Sequence, residues 1–465
     1  MVLMERANSS FNDAKMLSGW KTLSLEDICV DKGLIRGPFG GALKKESFVP
    51  TGYKVYEQKN AIYQDAQLGD YFINGEKYEE LKRFAVGAGD FIVSCSGTIG
   101  RIFRIPEGSP MGVINQALLL IKIDHRKINS DYFYQYFQWD GFQRRIIDST
   151  QGGAMPNLVG MGLFKKTTLA VPPLDEQQRI AKVLATWDKA IELKQRLIEQ
   201  KRLRKTGLMQ HLLSGKVRWN DGSKFSKEEI KARIDMIDDG MVPEGYHQTE
   251  VGIVPIEWSV KRLDELFTFE GGYPATRADL FQGEDGICYL HYGDIHTSVT
   301  DFVDVEAQFN TIPKIYVPIE NVVQKYLLQH GDIVFADASE DYDGIGKSLV
   351  VFNKTSIPFI AGLHTIIARD KTRLLDNVFK RFFLSNHAVR KQMMFYASGI
   401  SVYGLSKRNI GNILVALPER SEQKRIAVIL ASCDKEIRLL EQELEALRRQ
   451  KTGLTQLLFT GNVRV

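Results

Sequence analysis

Two stretches of the chain place charged residues at spacings that resemble phosphate-binding and nuclease sites. The stretch "DYDGIGKS" (341–348) ends like a phosphate-binding loop, but that loop requires Gly at the position of Asp341. A carboxylate there would repel the phosphates that backbone N–H groups should bind. The stretch "DGSKFSKEEIK" orders Asp221, Glu229 and Lys231 like a nuclease site, yet it has no second copy, and a charged surface segment explains it better. We therefore predict neither a nucleotide site nor a nuclease site.

The histidines and cysteines do not form a metal-binding pattern. In "HYGDIH", His291 lies close to His296, but no third ligand follows at a useful spacing, so a polar surface loop is the better interpretation. The four cysteines form no CxxC pair, which is typical of a reducing compartment. The chain also contains no Gly-rich cofactor loop between a strand and a helix, and no NPPY-type methyltransferase tetrapeptide. The sequence predicts no active site, metal or cofactor on this chain.

Length and composition indicate a globular protein of two or three domains. The chain has 465 residues, of which 44% are hydrophobic and 25% charged. It contains no apolar run long enough to span a bilayer, and the first residues lack the apolar stretch of a secretory signal. The formal charge of +4 permits nucleic-acid binding without demanding it. We expect a cytoplasmic protein that makes no contact with a membrane.

A long internal repeat organises the chain. "PLDEQQRIAKVLATWDKAIEL" begins at Pro173, and "ERSEQKRIAVILASCDKEIRL" begins at Glu419. Glu176 and Glu422 set the offset at 246 residues (422 − 176), and it holds without a gap to Arg218 and its counterpart Arg464. Roughly half of the paired positions are identical. A repeat of this length indicates duplication of a whole module, because solenoid repeats are much shorter.

Each copy of the repeat predicts one long helix. The pattern of Asp175 and Gln178 is typical of a capping box, and Ser421 takes the N-cap position in the second copy. Gly215 and Gly461 stand where the C-terminal stop of each helix is expected. Each helix then spans about 38 residues, or about 57 Å at 1.5 Å per residue.

Apolar residues along the second helix alternate at spacings of four and three, which is typical of a coiled-coil seam. Lys451 occupies one seam position, and Lys194, Lys201 and Lys205 interrupt the corresponding seam of the first helix. These lysines are explained equally well by partner docking, an approach to DNA, or a plain solvated face. Two helices of equal length after duplicated domains should pack antiparallel, related by a pseudo-twofold axis.

Alternation of strand-like and helix-like runs predicts an α+β head before each long helix. "GDFIVSC" and "GDIVFAD" read as strands, whereas "DYFYQYFQWDGFQRRII" and "DNVFKRFFLSNHAVRKQMM" read as amphipathic helices. The fold class is thus α+β, with two globular domains joined by two antiparallel coiled-coil helices. The predicted boundaries are an N-terminal segment (1–17), a first head (18–171), a first helical region (172–218), a linker (219–255), a second head (256–417) and a second helical region (418–465).

The repeat resembles the conserved regions of type I restriction–modification specificity subunits. "PPLDEQQRIA" followed by "KTGLMQHLLSGKVR" is similar to their central conserved region, and "KTGLTQLLFTGNVR" is similar to the C-terminal one. "YHQTEVGIVPIEW" is similar to the segment that leads into their second target-recognition domain. The resemblance covers essentially the whole chain. Its departures are small: Pro418-Glu419 replaces Pro172-Pro173, and Lys424 replaces Gln178.

The resemblance implies a protein that recognises DNA without being an enzyme. Each head would be a target-recognition domain that reads one half of a bipartite double-stranded DNA site. The helices would hold the heads apart and dock two adenine methyltransferase subunits, and motor-nuclease subunits would complete the restriction complex. S-adenosylmethionine, ATP and Mg²⁺ would be bound by those partner subunits, and no cofactor by this chain.

The residues alone support a similar conclusion. The repeated frame carries heads that differ strongly between copies, which implies an asymmetric target, because identical heads would imply a palindrome. A spacing of about 57 Å suits half-sites roughly one to two helical turns apart, at about 34–36 Å per turn. Glu176, Gln177 and Arg179, with their counterparts Glu422, Gln423 and Arg425, are expected to cap and brace each helix start against its head, with direct DNA contact as the alternative.

Base recognition requires polar or basic side chains on loops, with glycines that allow close backbone approach. An ordinary surface turn remains the alternative for each single residue. In the first head the candidates are Arg36, Lys44, Lys45, Gln58, Lys59, Asn60, Ser94, Ser96, Thr98, Arg101, Gln151 and Asn157. In the second head they are Tyr273, Thr276, Arg277, His291, Tyr292, His296, Ser339, Tyr342, Lys347, Ser401 and Tyr403.

Two other functions remain open from the sequence. A coiled-coil scaffold could use its heads to bind proteins rather than DNA. Alternatively, the same fold could serve a modification-only or other phage-defence system that has no nuclease partner. Neither the bases recognised nor the spacer length is encoded in a pattern that the sequence alone reveals.

Overall fold

The computed structural model describes residues 19–39, 41–148, 157–275, 279–283, 285–342, 344–399 and 402–465. The predicted N-terminal segment (1–17) lies outside the described residues. The chain divides into two compact units. The first contains the residues up to Gln195 together with Gln442–Val465, and the second contains Arg196–Glu441. Each unit therefore combines one head with parts of both long helices.

The head of the first unit is built on two sheets of short strands. One sheet, antiparallel throughout, has the order Cys29–Arg36, Leu118–Ile123, Phe91–Ser94, Ile102–Arg104. The other has the order Phe48–Val49, Phe72–Ile73, Tyr53–Tyr56, Gly112–Ile114, Ala85–Val86, and its third and fourth strands are parallel. Strand pairs also join Lys21–Ser24 to Thr168–Val171 and Ile147–Asp148 to Asn157–Leu158. The apolar runs predicted as strands lie at the centre of these sheets.

Short helices cover the sheets of this head. They are Gln58–Tyr63, Gly75–Glu80, Ser130–Gln138, Asp140–Ile146 and Met161–Lys166, with 3₁₀ turns at Lys45–Ser47 and Lys82–Phe84. The amphipathic pattern of "DYFYQYFQ" is explained by burial, since Tyr132, Phe133, Tyr136 and Phe137 are fully buried. These aromatic residues pack with Ile180, Leu184, Leu458 and Phe459 of the long helices in one core.

The head of the second unit has the same mixed construction. Its larger sheet has the order Phe267–Gly271, Thr365–Asp370, Ile333–Ala336, Ser348–Phe352, Phe302–Asp304. A second sheet has the order Leu280–Phe281, Lys314–Ile315, Ile287–Leu290, Phe359–Ala361. Further pairs join Ser259–Arg262 to Leu414–Leu417 and Ala338–Ser339 to Tyr403–Gly404. Its helices are Leu263–Leu266, Tyr292–Thr297, Val305–Gln308, His387–Tyr396 and Lys407–Gly411, with 3₁₀ turns at Ile319–Asn321, Gln324–Tyr326, Phe379–Arg381 and Phe383–Ser385.

The segment predicted as a linker is folded. After a 3₁₀ turn at Asp221–Ser223 it forms a helix, Lys227–Asp238, and a hairpin that pairs Tyr246–Thr249 with Gly252–Pro255. Ser226 begins the helix with a capping box, because its side chain accepts from the N–H of Glu229 while the Glu229 carboxylate accepts from the N–H of Ser226. That pair was visible in the sequence as Ser-x-x-Glu and signals a helix start.

The two long helices run from Leu174 to Leu213 and from Arg420 to Phe459, 40 residues each. They begin slightly before the predicted caps at Asp175 and Ser421, and boundaries of this kind vary by one or two residues. Gly215 and Gly461 follow their ends with φ of +74° and +71°, as a glycine stop requires. Among the described residues, no helix is both long and apolar enough to cross a membrane.

The long helices pack antiparallel within each unit. In the first unit Ile180 and Leu184, near the start of one helix, share a core with Leu458 and Phe459, at the end of the other. In the second unit Leu212 and Leu213 pack with Ile426 and Leu430 in the same way. The predicted antiparallel coiled coil in an α+β protein is confirmed.

The seam lysines have a structural role that the sequence left undecided. Within the first unit Lys194 pairs with Glu443 at 2.7 Å. Within the second, Lys201 pairs with Glu436 at 2.5 Å. Each pair joins the two long helices, so these cations are engaged in holding the helices together rather than free for docking or for DNA.

Candidate nucleic-acid interface

A three-residue brace fastens the first head to the long helices. The buried carboxylate of Glu176 accepts hydrogen bonds from Arg464 Nε at 2.9 Å and Arg464 Nη2 at 2.7 Å. Trp20 Nε1 donates to the same carboxylate at 3.2 Å. The paired guanidinium of Arg464 lowers the pKa of Glu176, so the carboxylate is ionised at neutral pH. The first turn of one helix, the end of the other and the head thus meet at one group.

The second unit repeats this brace with the glutamate and arginine predicted by the 246-residue offset and with the tryptophan of its own head. Arg218 donates to Glu422 through Nε at 2.6 Å and through Nη2 at 2.7 Å. Trp258 Nε1 donates to the Glu422 carboxylate at 3.1 Å. The expectation that the paired glutamates brace each helix start against its head is confirmed, and each tryptophan is its partner on the head.

The neighbouring glutamines complete the frame. Gln177 Oε1 accepts from the backbone N–H of Asn129 at 2.7 Å, and Gln423 Oε1 accepts from the backbone N–H of Asp376 at 2.9 Å. Arg179 donates to the carbonyl of Val465 at 2.7 Å, whereas the guanidinium of Arg425 stacks 4.9 Å from the ring centre of Trp219. The glutamines therefore brace each helix start against its head as expected, whereas Arg179 and Arg425 contact residues outside the heads.

Glycines at matched positions bring a candidate loop of each head against a neighbouring turn. A Cβ on Gly37 would lie 1.8 Å from the carbonyl oxygen of Asn115, and a Cβ on Gly272 would lie 1.8 Å from the carbonyl oxygen of Gly362. Only glycine permits this approach. Phe39, two residues after Gly37 in this loop, is 94% exposed.

The candidate loops of the first head converge around Gln58. The Nε2 atom of Gln58 lies 3.8 Å from the position that a Cβ on Gly97 would take, and its Oε1 atom is buried without a hydrogen-bond partner among the described residues. Phe39, Glu57 and Gln116 line one small cavity of about 120 Å³. Three loops that are far apart in sequence therefore share one surface.

The exposed candidates of the first head are cationic or hydroxylic. Arg36, Lys44, Lys45, Ser96, Thr98 and Arg101 are exposed. Lys59 is half-buried and pairs with Glu57 at 2.9 Å, and this carboxylate raises the pKa of the lysine. No observation of the structure tests contact with DNA, so base reading by these residues stays a prediction.

Asn60 and Ser94 need correction, because both are buried. The Asn60 amide donates to the carbonyls of Asp65 at 2.9 Å and Leu68 at 2.7 Å, and its Oδ1 caps the helix that follows Glu57. Ser94 Oγ donates to the carbonyl of Thr98 at 2.6 Å. Side chains that are fully used inside the head shape the loops and have no free group to present to a base.

The second head gathers its candidate aromatic residues around Tyr292. The ring centres of His291, His364 and His296 lie 4.4, 5.6 and 6.4 Å from that of Tyr292. His364 is exposed, has a φ of +61°, and its Nδ1 lies 3.5 Å from a carboxylate oxygen of Asp337. The sequence did not identify His364 as a candidate, because it lies in a run that reads as a strand. Only its left-handed backbone conformation distinguishes it from the residues of that strand.

The other candidates of this head are partly engaged. Lys347 Nζ donates to the carbonyl of His296 at 2.5 Å, which orders the helix that carries Tyr292. Tyr342 is half-exposed and its ring lies edge-on, 5.2 Å from that of Tyr403. Ser339 is buried, so its side chain cannot read a base, and its strand pairs with Tyr403. Tyr273 is half-buried against Tyr326, with a ring separation of 5.5 Å.

Some candidates fall in parts of the chain that are not described. Gln151, Thr276, Arg277 and Ser401 lie outside the described residues. Asn157 forms a strand pair with Asp148 through its backbone, but its side chain is not described.

The stretches that resembled reactive sites have structural roles. Ser348, the end of "DYDGIGKS", begins a strand, whereas a phosphate-binding loop must open a helix. Asp221 is buried and held by Arg233, and Glu229 belongs to the capping box. Burial raises the pKa of the Cys29 and Cys95 thiols to about 12, which keeps them protonated. In the described ranges, no three His, Cys, Asp or Glu side chains are placed to hold a metal.

Each unit thus presents polar loops on a braced α+β head. A family model described as type I restriction modification DNA specificity domain matches residues 18–200 and 255–449. The chain belongs to this family, and it is a non-catalytic specificity subunit that recognises DNA sequence.

Individual relatives are distant in sequence but match most of the length of the chain. The type I restriction enzyme MjaVIII specificity subunit of Methanocaldococcus jannaschii is 24% identical over 404 residues, which is 83% of this chain and 81% of the relative. The putative MjaX specificity subunit of the same organism is 23% identical and covers 96% and 94% of the two chains. A solved structure from a study of assembly and conformational transition of the type I R-M system has a TM-score of 0.57 at 16% identity, covering 97% of this chain and all of that one. It supports the fold.

Proposed function

We propose that the two heads read the two halves of an asymmetric, interrupted double-stranded DNA site. The observation that carries this proposal is one duplicated frame bearing two different loop sets. The Trp–Glu–Arg brace is the same in both units, whereas Gln58 and exposed lysines in one head are replaced by the Tyr292 and histidine cluster in the other. A reader with unlike faces requires unlike half-sites.

The chemistry of modification and cleavage belongs to other subunits in this proposal. The chain would direct adenine methylation by two methyltransferase subunits, which would bind S-adenosylmethionine. Motor-nuclease subunits would supply ATP- and Mg²⁺-dependent cleavage. The protein would work in the cytoplasm, where its DNA target is.

Phosphate contacts and base contacts should divide between different side chains. Arg36, Lys44, Lys45 and Arg101 are exposed cations, which suits them to contact the DNA backbone. Gln58 suits a base edge, because its side chain is partly exposed and its Oε1 has no hydrogen-bond partner among the described residues.

A methylome measurement tests the proposal. The chain is co-expressed with the methyltransferase encoded beside it in a host that lacks adenine methylation, with a culture lacking only this chain as the control. We expect methyladenine in an asymmetric, interrupted motif that disappears in the control. An active methyltransferase that produces the same motif without this chain, or a palindromic motif with it, would contradict the proposal.

A further inference from the structure

The end of the second long helix is closed by aromatic residues in the first unit. The ring centre of Phe459 lies 5.7 Å from that of Trp139, 5.5 Å from that of Tyr132 and 4.8 Å from that of Tyr136. Trp139 precedes the helix Asp140–Ile146 as its N-cap residue, and its Nε1 donates to Gln456 Oε1 at 3.0 Å. An indole thus fills this corner and is only 8% exposed.

The second unit has smaller residues at the places of Trp139, Tyr136 and Phe459, and it keeps a glutamine at the place of Gln456. Asn386 is the N-cap of His387–Tyr396, as Trp139 is of its helix, and the backbone N–H of Asn386 donates to Phe383 as that of Trp139 does to Tyr136. The offset of the repeat places Leu213 at the position of Phe459 and Gln210 at that of Gln456. These residues line a cavity of about 480 Å³ where the first unit holds an indole.

Apolar residues form much of the wall of this cavity, together with polar residues of the long helix and the rim. Phe379, Phe383 and Val389 form one side and are buried, and Ile253 and Val254 of the hairpin between the two copies form the other. A cavity of about 150 Å³ with such a lining holds one benzene ring. The cavity of the second unit is larger than this, so it accommodates a bicyclic aromatic ring together with the atoms that join the ring to its backbone.

One polar atom in the wall lacks a partner. His211 Nδ1 is buried and makes no hydrogen bond with any described residue. His211 lines the cavity next to Gln210, which stands where Gln456 accepts the indole N–H in the first unit. A neutral imidazole with its proton on Nε2 offers Nδ1 as an acceptor. The cavity therefore suits an aromatic ring that carries an N–H donor.

We propose that this cavity is the docking site for the indole of a tryptophan presented by a protein subunit that assembles with this chain. The inference rests on the assembly with methyltransferase subunits proposed above. A tryptophan with an apolar body and one N–H donor is a common anchor of protein interfaces. Polar groups such as His387 and the Lys216–Asp238 ion pair lie at the rim, as in interfaces with an apolar centre.

The guest indole must sit differently from Trp139. A Cβ on Gly141 would lie 2.3 Å from the Trp139 indole, and the second unit has Ala388 at that position. The methyl group of Ala388 keeps the guest ring off this helix and closer to the hairpin residues Ile253 and Val254. His211 lies on the long helix, and its counterpart in the first unit, Leu457, cannot accept a hydrogen bond.

Binding of 5-fluoroindole to the full chain, followed by fluorine NMR, tests the cavity. We expect saturable binding to the wild type and at least tenfold weaker binding to Val389→Phe and Leu213→Phe, which restore the aromatic residues of the first unit. Val323→Phe, at an exposed site of the same head, is the control and should bind like the wild type. Indole should also bind at least fivefold more tightly than 1-methylindole, which lacks the N–H donor, and His211→Leu should remove that preference. This comparison tests the hydrogen bond from the indole N–H to His211, even if Val389→Phe or Leu213→Phe fails to fold.

Assembly with the methyltransferase subunit, measured by analytical ultracentrifugation, tests the occupant. Val389→Phe and Leu213→Phe should bind the methyltransferase subunit at least tenfold more weakly than the wild type, and Val323→Phe should bind it equally well. If Val389→Phe and Leu213→Phe fold but bind 5-fluoroindole like the wild type, this cavity is not the indole-binding site. If a variant loses indole binding but keeps its affinity for the methyltransferase subunit, that subunit does not occupy the cavity. If a variant instead changes the self-association of the chain, the occupant is a second copy of this chain. Failure of the proposed function appears separately, as a methylated motif that does not depend on this chain.

Discussion

Lys451 Nζ lies 2.5 Å from Asp188 Oδ1, so a seam lysine of the second long helix is paired with an acid of the first. The second unit has the same pair with the helices exchanged, because Lys205 lies 2.5 Å from Asp434. A charged pair at a seam position costs stability relative to apolar packing but fixes the alignment of the helices. The repeat thus encodes the register of the antiparallel helices twice.

A charge exchange across this pair tests its role. Asp188→Lys should lower the free energy of unfolding by about 1 kcal/mol, and adding Lys451→Asp should recover about half or more, because both groups are partly exposed. Urea unfolding of the four proteins of the cycle measures the coupling. A double variant no more stable than expected from adding the single effects would show that the pair does not set the register.

The brace at Glu176 predicts a pH-dependent contribution to stability. Glu176→Gln should destabilise the fold by about 1–3 kcal/mol at pH 7, since it removes a carboxylate that three N–H groups share. The pKa of Glu176 is lowered by folding, so the stabilisation is complete above the unfolded pKa of about 4.3 and is lost as pH falls through the lower folded value.

Thermal or urea unfolding of the wild type and Glu176→Gln from pH 7 to pH 3 measures this difference. The two stabilities should converge as the pH falls below about 4. Glu79→Gln is the matched control, because Glu79 makes an exposed pair with Lys82 and should cost at most about 0.5 kcal/mol at any pH. A gap between wild type and Glu176→Gln that stays constant down to pH 3 would exclude ionisation as its cause.

The frame was predictable because its signals are local or repeated. The Glu-Gln pairs, the stop glycines and the seam recur at one offset, and helix periodicity is independent of what the helix packs against. The folded linker was missed although Ser226 and Glu229 form a capping box in the sequence. The partners of the seam lysines could not be predicted, because each pair joins residues far apart in the chain.

The candidate surface was predicted less well, since side-chain exposure depends on tertiary packing. "EQKN" contains both Gln58, with a free acceptor, and Asn60, which is buried and bonded to the loop carbonyls. The two residues differ only in which side of a short helix they occupy. Phe39 of "RGPFGG", which is 94% exposed, was not selected because apolar residues are expected inside.

Two glycines near the end of the first long helix should respond in opposite directions to alanine. Gly207 has no atom within 4 Å of an added Cβ, so Gly207→Ala should raise the free energy of unfolding by about 0.5–1 kcal/mol. Gly215 has a φ of +74° and an added Cβ would lie 2.5 Å from Pro255, so Gly215→Ala should lower it by about 1–2 kcal/mol. Urea unfolding measures both, and equal effects would contradict the positive-φ stop.

The exposed lysines of the first head should bind phosphates. Replacing Lys44 and Lys45 together by Ala should weaken the binding of a target duplex by the assembled subunits and reduce the slope of log K against log salt by about 1.8. Fluorescence anisotropy at several salt concentrations measures it. The control replaces Lys77 and Lys82, which pair with Glu80 and Glu79 in the same head and should leave the slope unchanged. Weaker binding with an unchanged slope would assign Lys44 and Lys45 to base contacts or to folding.

Tyr292 and Phe39 give a paired test of which head reads which half-site. Tyr292 lies at the centre of the histidine cluster of one head, and Phe39 is the exposed tip of a loop in the other. Tyr292→Ala should relax or change one half of the methylated motif, and Phe39→Ala should affect the opposite half, because the two side chains belong to different compact units. Methylomes of the two variants, each co-expressed with the methyltransferase, provide the measurement, and each variant serves as the control for the other. If both variants altered the same half, or if either altered both halves, the heads would not be independent readers.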